Sequence, residues 1–380
     1  MKGLFGRPLY VNNHNYQGNA NDRNNLHNNS RFLRISHSTI ITVKENNCSY
    51  AELCSYDNLL FAFKKARKGK TLRPEVIEFE KDFNENILQL RMELLFHAYR
   101  PMPLKSFLIR DPKTRMINKS AFRDRVVHHA LFNIIEPLFE KRFIYDSYAN
   151  RKGKGVLAAF ERFDLFKMKV SHNNTHSCFV LKADIKHYFE EVNHQHLLSI
   201  LEKRILNSEI IWLIKIILSN FQSKEKGRGM PLGNLTSQFF ANVYLHELDF
   251  FVKQKLQVKY YLRYVDDFVL LHHSRDKLEE YKLKIQEFLQ NQLALQLHPQ
   301  KTRIITLSCG IGFLGMRIFF HHKLLQRKNI LSLWRKWETL QKKYLTKEAS
   351  YDKLYDFIEG WIAYAKQANT YSTRQKIISG

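Results

Sequence analysis

Cysteine is scarce in this chain of 380 residues, which has only four, at positions 48, 54, 178 and 309. No two of them form a CxxC pair, so the sequence offers neither a zinc site nor a disulfide framework. Long apolar runs are also missing, because the most apolar stretch, residues 210–217, contains a lysine and is far shorter than the ~20 residues of a membrane span. The first residues lack the apolar segment of a signal peptide. We therefore expect a cytoplasmic protein with reduced thiols and no membrane partner.

Acidic residues are few relative to basic ones. The chain has 61 Lys and Arg against 36 Asp and Glu, a formal net charge of +25, and the excess is spread along most of its length. Self-repulsion opposes such an excess unless a polyanion offsets it. Nucleic acid is the first candidate partner, and an anionic membrane surface is the alternative.

The pattern of apolar and turn-forming residues predicts an α+β fold with a mainly antiparallel sheet. Residues 10–30 are rich in Asn and poor in aliphatic side chains, which indicates a disordered arm. The predicted helices cover residues 55–69, 74–97, 121–139, 194–220, 235–256, 276–293 and the chain from about 330. The predicted strands are 38–43, a hairpin at 104–118, then 179–185, 258–264 and 268–272, and a pair formed by 303–307 and 313–318.

Two adjacent aspartates, Asp266 and Asp267, stand between apolar strand-like runs in the segment YVDDFVLLH. Strands disfavour Asp, and a turn alone would explain one of them. Two together indicate oxygen ligands for a hard divalent cation. Asp184 ends another apolar strand and would be the third carboxylate, although a lone Asp there can also be a helix cap. Carboxylates from neighbouring strands can hold two metal ions for phosphoryl transfer.

The YVDD tetrapeptide and the segment Asp184-Ile-x-x-Tyr-Phe resemble the two palm motifs of reverse transcriptases. The resemblance covers residues from about 55 to about 372. It implies an RNA-directed DNA polymerase with the right-hand fold, in which fingers, a palm with an antiparallel sheet and a helical thumb follow one another. The implied boundaries are an N-terminal extension at 1–54, partly disordered, then fingers at 55–178, palm at 179–320 and thumb at 321–380.

The resemblance also implies roles for individual residues. The implied groups are the catalytic carboxylates Asp184, Asp266 and Asp267 with Lys301 as general acid; the metal ligands Asp184, Ile185, Asp266 and Asp267; the nucleotide-binding residues Lys113, Arg115, Ile185, Phe189, Leu232 and Gln238; and the primer grip Phe313, Leu314 and Gly315. The expected cofactor is a pair of Mg²⁺ ions, with Mn²⁺ as an alternative. The expected partners are an RNA template, a DNA or RNA primer and dNTPs.

Several of these residues also have a simpler interpretation. Lys113 and Arg115 would otherwise belong to an exposed basic hairpin, and Lys301 to a solvated loop. Phe189 would otherwise be an ordinary core residue, and Gly315 a strand bend. The paired histidines at 128/129, 272/273 and 321/322 lack partners at metal-ligand spacing. We expect them at the surface or in a groove.

The segment at 231–238 points to a subtype. Most reverse transcriptases have Gln-Gly and Ser-Pro in this motif, whereas this chain has Leu232 and Gln238 at the corresponding positions. That pattern is similar to the reverse transcriptases of diversity-generating retroelements, a bacterial or phage group related to group II introns. These enzymes copy RNA with errors opposite adenines. The resemblance implies a small basic accessory protein as a further partner.

Other functions remain open. The enzyme could serve an antiphage defence system or an intron-type element. A retron origin is less favoured, because the thumb region has no Val-Thr-Gly. From another class, the chain could be an inactive RNA-binding scaffold. The three aspartates argue against that, since carboxylates facing phosphates would not help binding alone.

Overall fold

The computed structural model describes residues 48–110, 114–221, 223 and 225–379. The predicted disordered arm at 10–30, the predicted strand at 38–43 and Lys113 lie outside them. Within these ranges, no helix combines the length and the apolarity that a bilayer crossing requires.

The first part of the described chain consists of helices and one antiparallel hairpin. Ser55 caps the second helix, as predicted, because its hydroxyl accepts the Asn58 N–H at 3.2 Å. The prediction of one helix at 74–97 was wrong, since the backbone leaves helical geometry at Asp82 (φ −116°, ψ 48°). The elements are α1 (Tyr50–Leu53), α2 (Tyr56–Arg67), α3 (Pro74–Lys81), α4 (Phe83–Leu95), β1 (Lys105–Ile109), β2 (Arg115–Lys119), α5 (Phe122–Glu140) and α6 (Val156–Val170).

Helix α6 is an element that we did not predict. It begins after Gly155, whose φ of +125° suits glycine. Phe160, Phe163 and Phe166 are buried at helical spacing along it. The periodicity that identifies this helix is therefore present in the sequence.

The middle of the chain forms a four-stranded sheet with the order β4-β5-β3-β6, and every neighbouring pair is antiparallel. This confirms the predicted antiparallel sheet. The predicted helix at 194–220 was wrong, because the Asn207 side chain accepts two backbone N–H groups and starts a separate helix. The elements are β3 (Phe179–Asp184), α7 (Tyr188–Glu191), α8 (His194–Glu202), α9 (Ser208–Ser219), α10 (Leu235–Phe250), β4 (Tyr261–Tyr264), β5 (Asp267–His272), α11 (Arg275–Leu293) and β6 (Arg303–Thr306).

The two faces of this sheet belong to different parts of the core. Successive strand residues point to opposite faces. Leu181 and Phe268 pack in one cluster with residues of α10 and α11. Val180 and Val269 pack in another cluster with α6 and with residues near 311–325. The sheet is therefore covered on both sides, which fixes the positions of its strand ends.

A second, three-stranded sheet and three helices complete the chain. The predicted pairing of 303–307 with 313–318 was wrong, because β6 pairs with β3 and residues 311–318 form a hairpin of their own. The predicted helical C-terminal region is confirmed. The elements are β7 (Ile311–Phe313), β8 (Met316–Ile318), β9 (Lys323–Leu325), α12 (Arg327–Leu345), α13 (Tyr351–Ala365) and α14 (Tyr371–Ser379).

Candidate active site

Three carboxylates meet at one end of the four-stranded sheet. Asp184 is the last residue of β3 and Asp267 is the first of β5, and the two are direct partners in the antiparallel ladder. Side chains of directly opposed residues lie on the same face of a sheet. Asp266 stands immediately before β5, in the turn after β4. The structure thus brings together the three carboxylates that the sequence singles out.

The turn that carries Asp266 has an unusual backbone. Val265 has a φ of +55°, in the left-handed region that β-branched residues rarely adopt. Such a conformation costs about 1–3 kcal/mol and persists only where neighbouring structure enforces it. Here the Val265 carbonyl accepts a hydrogen bond of 3.0 Å from the Arg263 guanidinium.

Arg263 is fully buried and connects this turn to distant parts of the chain. Its guanidinium forms a two-pronged ion pair with Asp249 of α10, at 2.7 and 2.6 Å. It also donates to the side chains of Asn242, at 3.1 Å, and Ser147, at 3.2 Å. Paired and hydrogen-bonded on all sides, this buried charge fixes the turn geometry.

Burial raises the pKa values of the two adjacent aspartates, Asp266 and Asp267. Burial raises the pKa of Asp266 to about 6, and the adjacent Asp267 carboxylate adds to the rise, while Arg115 opposes it. Burial raises the pKa of Asp267 as well, against the opposing effect of Lys182. Three cationic side chains, those of Lys182, Lys301 and Arg115, thus act against these rises.

Two lysines face the carboxylates. The Lys301 Nζ donates to Asp184 Oδ1 at 2.8 Å. The Lys182 Nζ lies 4.0 Å from Asp267 Oδ1. Lys301 comes from the turn before β6, and this contact places it at the carboxylate end of β3.

The donor set fits a hard divalent cation. Asp267 Oδ1 is buried and accepts no hydrogen bond, and Lys182 Nζ, 4.0 Å away, compensates its charge only in part, so a closer cation would stabilise it. Carboxylate oxygens are the ligands that Mg²⁺ and Mn²⁺ prefer. Across the described residues, however, no group of three or more His, Cys, Asp or Glu is arranged to hold a metal ion. The predicted ligands thus lie together but do not form a ready metal site.

The β1–β2 hairpin is attached to the loop that precedes α10. The Asn118 N–H of β2 donates to the Leu232 carbonyl at 3.0 Å. Asn234 accepts from the Ser120 hydroxyl at 2.8 Å and donates to the Asn118 carbonyl at 3.1 Å. Gly233, with a φ of +107°, lies so close to β2 that an added Cβ would be 2.8 Å from Ile117 Cγ2. This close attachment requires a glycine.

The predicted nucleotide-binding residues have different surroundings, and only Leu232 belongs to the attachment described above. Arg115 begins β2 and acts electrostatically on Asp266. Ile185 directly follows β3 and is buried, and its backbone bridges to Leu297. Lys113 lies outside the described residues. The remaining three, Phe189, Leu232 and Gln238, are half-buried.

The Phe189 carbonyl accepts the Met230 N–H at 2.7 Å, which ties α7 to the loop at 227–233. Phe189 also packs on the main core cluster, so the simpler interpretation of it as a core residue describes part of its environment.

The predicted primer grip forms the turn between β7 and β8. Leu314 and Gly315 have φ values of +45° and +87°, as in a two-residue hairpin turn. The Gly315 carbonyl accepts from Asn329 of α12 at 3.0 Å, and an added Cβ at Gly315 would meet the Tyr364 hydroxyl of α13 at 2.8 Å. Phe313 is buried. The hydrogen bonds described for this turn reach the C-terminal helices and not the carboxylates.

The sequence interpretation missed Arg263, Asp249 and Lys182. Arg263 could have been found from the sequence, because it interrupts the apolar run YYLRY. A charged residue in a buried strand is expected to have a buried partner of opposite charge. The paired histidines differ in their exposure to solvent. His321 and His322 are exposed, whereas the surface prediction was wrong for His128, which is 4% exposed.

Comparison with known proteins gives three findings. The family profile described as "Reverse transcriptase (RNA-dependent DNA polymerase)" matches residues 109–318. The protein YkfC of Escherichia coli (strain K12) is 27% identical over 268 residues, which are 60% of this chain and 70% of YkfC. The group II intron-encoded protein LtrA of Lactococcus lactis subsp. cremoris is 24% identical over 236 residues, which are 59% of this chain and 38% of LtrA.

Among solved structures, telomerase from Candida albicans in complex with a fragment of telomeric RNA has a TM-score of 0.46 at 12% identity, over 64% of this chain and 51% of that one. Apo telomerase from Candida tropicalis, truncated from its C-terminal domain, has a TM-score of 0.45 at 14% identity, over 61% of this chain and 58% of that one.

Proposed function

The chain belongs to the reverse transcriptase family of RNA-directed DNA polymerases, and from that premise we propose that Asp184, Asp266 and Asp267 form its catalytic centre. The observation that carries the proposal is the pairing of Asp184 with Asp267 across β3 and β5, beside the raised pKa of Asp266. Divalent cations bound there would lower the pKa of the primer 3′-hydroxyl and offset charge on the leaving pyrophosphate. Mg²⁺ is the proposed ion, with Mn²⁺ as the alternative.

The remaining roles follow from the chemistry of each side chain. Lys301 would protonate the leaving pyrophosphate, and Arg115, with Lys113, would bind the triphosphate by charge-assisted hydrogen bonds. The Phe189 ring would exclude a ribose 2′-hydroxyl. Phe189→Ala should then increase incorporation of ribonucleotides relative to deoxynucleotides.

Primer extension tests the catalytic centre. The parent protein, an RNA template, an annealed primer, dNTPs and Mg²⁺ should give cDNA, and Asp266→Ala/Asp267→Ala should give none. Retained extension by the double variant would refute the proposed centre. Extension by neither protein, despite cooperative unfolding of both, would favour the scaffold interpretation.

We further propose that the enzyme is of the diversity-generating retroelement type, acting with a small basic accessory protein. Leu232 and Gln238 support this, and Leu232 belongs to the loop that is hydrogen-bonded to β2. Replacing an amide by an alkyl side chain removes a directional hydrogen bond, which loosens selection of the incoming base.

Sequencing of the extension products tests the subtype. Errors of the parent should cluster at template adenines, and Leu232→Gln should reduce them. Accurate copying by the parent would favour an intron-type element, the candidate that the similarity to the intron-encoded LtrA supports, or an antiphage defence enzyme.

A further inference from the structure

A cavity of about 290 Å³ opens on the molecule away from the carboxylates. Its wall includes Leu271 and His272, at the end of β5 opposite to Asp267. At about 3.4 Å of rise per residue, the two ends of this strand are about 17 Å apart. The cavity is therefore separate from the proposed catalytic centre, although the same strand supports both.

The wall of this cavity is basic. Lys169, Lys259, His172, His272 and His273 contribute to it, and none of the residues that line it is acidic. Within the described part of the chain, neither lysine forms an ion pair with a carboxylate. The two lysines are therefore exposed at the cavity without a carboxylate partner among these residues, unlike Lys301 and Lys182, which lie next to Asp184 and Asp267.

A backbone contact of His272 and the ends of two helices also lie at this cavity. The Ser274 N–H donates to His272 Nδ1 at 2.9 Å, and the Ser274 carbonyl oxygen lies 3.2 Å from the same nitrogen, so the His272 ring is held at the residue that caps α11. Helix α11 starts immediately after these histidines, with the positive end of its dipole at this edge. The C-terminal end of α6 also reaches the cavity, where Lys169 lies in its last turn and offsets the helix dipole.

Flat rings accompany the charges. His272 and His273 stack with ring centroids 4.2 Å apart. Tyr260 and Tyr281 also line the cavity and are half-buried, so each keeps part of its ring accessible. Basic groups next to such rings are the combination that binds single-stranded nucleic acid, in which lysines hold phosphates and rings stack on bases. A duplex offers no free base faces.

We propose that this cavity binds a nucleotide unit of single-stranded RNA, as a second RNA contact outside the catalytic cleft. Its volume is near the lower limit for small-molecule sites, which suits one nucleotide and not a helix. Lys169 and Lys259 would contact phosphate, and Tyr281 or Tyr260 would stack on the base. An RNA strand held here would remain attached to the protein independently of the part being copied.

The test compares two variants of equal net charge. Lys169→Gln/Lys259→Gln removes the cavity lysines, and Lys282→Gln/Lys284→Gln removes two lysines of α11 that are paired with Glu279 and Glu280. The probe is a fluorescent 20-nucleotide oligouridylate, measured by anisotropy across a salt series, with an RNA duplex of equal phosphate number in parallel. Circular dichroism and thermal melting confirm that both variants fold.

The cavity variant should bind the single strand about tenfold more weakly than the parent. Its slope of log affinity against log salt should fall by about 1.4, since each lost phosphate contact to a single strand removes roughly 0.7. The control variant should change affinity less than twofold, and the duplex should respond to the two variants alike. Tyr281→Leu should weaken single-strand binding about fivefold through lost stacking.

Crosslinking locates the contact directly. Oligouridylate carrying 4-thiouridine should crosslink to the parent within residues 257–260 or 271–281, and mass spectrometry identifies the peptides. Equal affinities of the two double variants, or crosslinks confined to other segments, would overturn the proposal. Because none of these measurements requires extension, failure of the catalytic proposal would be seen separately.

Discussion

The ammonium group of Lys301 lies 2.8 Å from Oδ1 of Asp184, although 117 residues separate the two in the chain. The backbone explains this approach. The His298 N–H donates to the Asp184 carbonyl at 2.7 Å, and the Lys186 N–H donates to the Gln296 carbonyl at 2.8 Å. These bonds hold the segment before β6 alongside the end of β3. Lys301 is thus positioned by main-chain contacts, and its side chain is 42% exposed.

Replacing Lys301 by Met should lower the extension rate by about 10²-fold, because a positioned general acid contributes about that much or more. The loss should appear in kcat, with the KM for dNTP little changed. Single-turnover extension measures it, and Lys186→Met, which removes an exposed lysine two residues after Asp184, is the matched control. Equal rates for the two variants would rule out the acid role.

Gly233→Ala should destabilise the protein by about 1–3 kcal/mol, since its φ of +107° strains any other residue and the new methyl would lie 2.8 Å from Ile117 Cγ2. Denaturant unfolding measures the loss. Adding Ile117→Ala to Gly233→Ala should remove the part of the loss that comes from the steric clash. The part that comes from the strained backbone at residue 233 should remain. A Gly233→Ala protein as stable as the parent would show that the loop and β2 are not in this close contact.

Arg263→Met should cost about 3–5 kcal/mol of unfolding free energy, because it leaves the Asp249 carboxylate buried without its ion-pair partner. Arg263→Met/Asp249→Leu should recover part of this loss, since no charge then remains buried. Urea unfolding of the parent, both single variants and the double variant gives the coupling energy. Strictly additive losses would contradict the pairing. The double variant should remain slow in extension, because the Val265 carbonyl has lost its donor.

The buried His128 should make the protein sensitive to acid. Burial lowers the pKa of His128 from 6.5 to about 3. The unfolded chain therefore takes up a proton below pH 6.5 that the folded chain does not, so stability is complete above pH 6.5 and falls towards pH 3. Between pH 7 and pH 5 this group alone should remove about 2 kcal/mol.

His128→Gln should flatten that part of the pH profile, whereas His321→Gln, a change at an exposed histidine, should leave it unaltered. Unfolding free energies at half-unit pH steps provide the comparison. Identical slopes in the parent and His128→Gln would exclude a buried neutral histidine at this position.

The three carboxylates of the site could be predicted from the sequence, because each is marked by the residues next to it. Asp266 and Asp267 are visible because two carboxylates interrupt an apolar run, and Asp184 because it ends another. The antiparallel pairing that joins them followed from the short strands between long helices. The family resemblance, and not the pattern, supplied roles for Lys301 and Leu232.

The errors arose where geometry depends on distant residues or on single backbone torsions. The hairpin at 311–318 looked like one strand because Leu314 carries no sign of its φ of +45°. Gly315 was the available signal, and a strand bend was the simpler interpretation weighed for it. The surface prediction for His128 failed because its burial depends on helices that pack around α5.

The Arg263 network also bears on how the enzyme reaches its active form. The arginine joins Ser147, 116 residues earlier in the chain, to Asn242 and to Asp249 of α10. The contact with Ser147 closes a loop of 116 residues, and the entropy cost of that closure must be offset by the rest of the fold. Since the network holds the strained turn at Val265, an isolated β4–β5 hairpin would not keep its shape. Catalytic activity therefore requires the complete tertiary structure. A partly folded chain would not extend a primer.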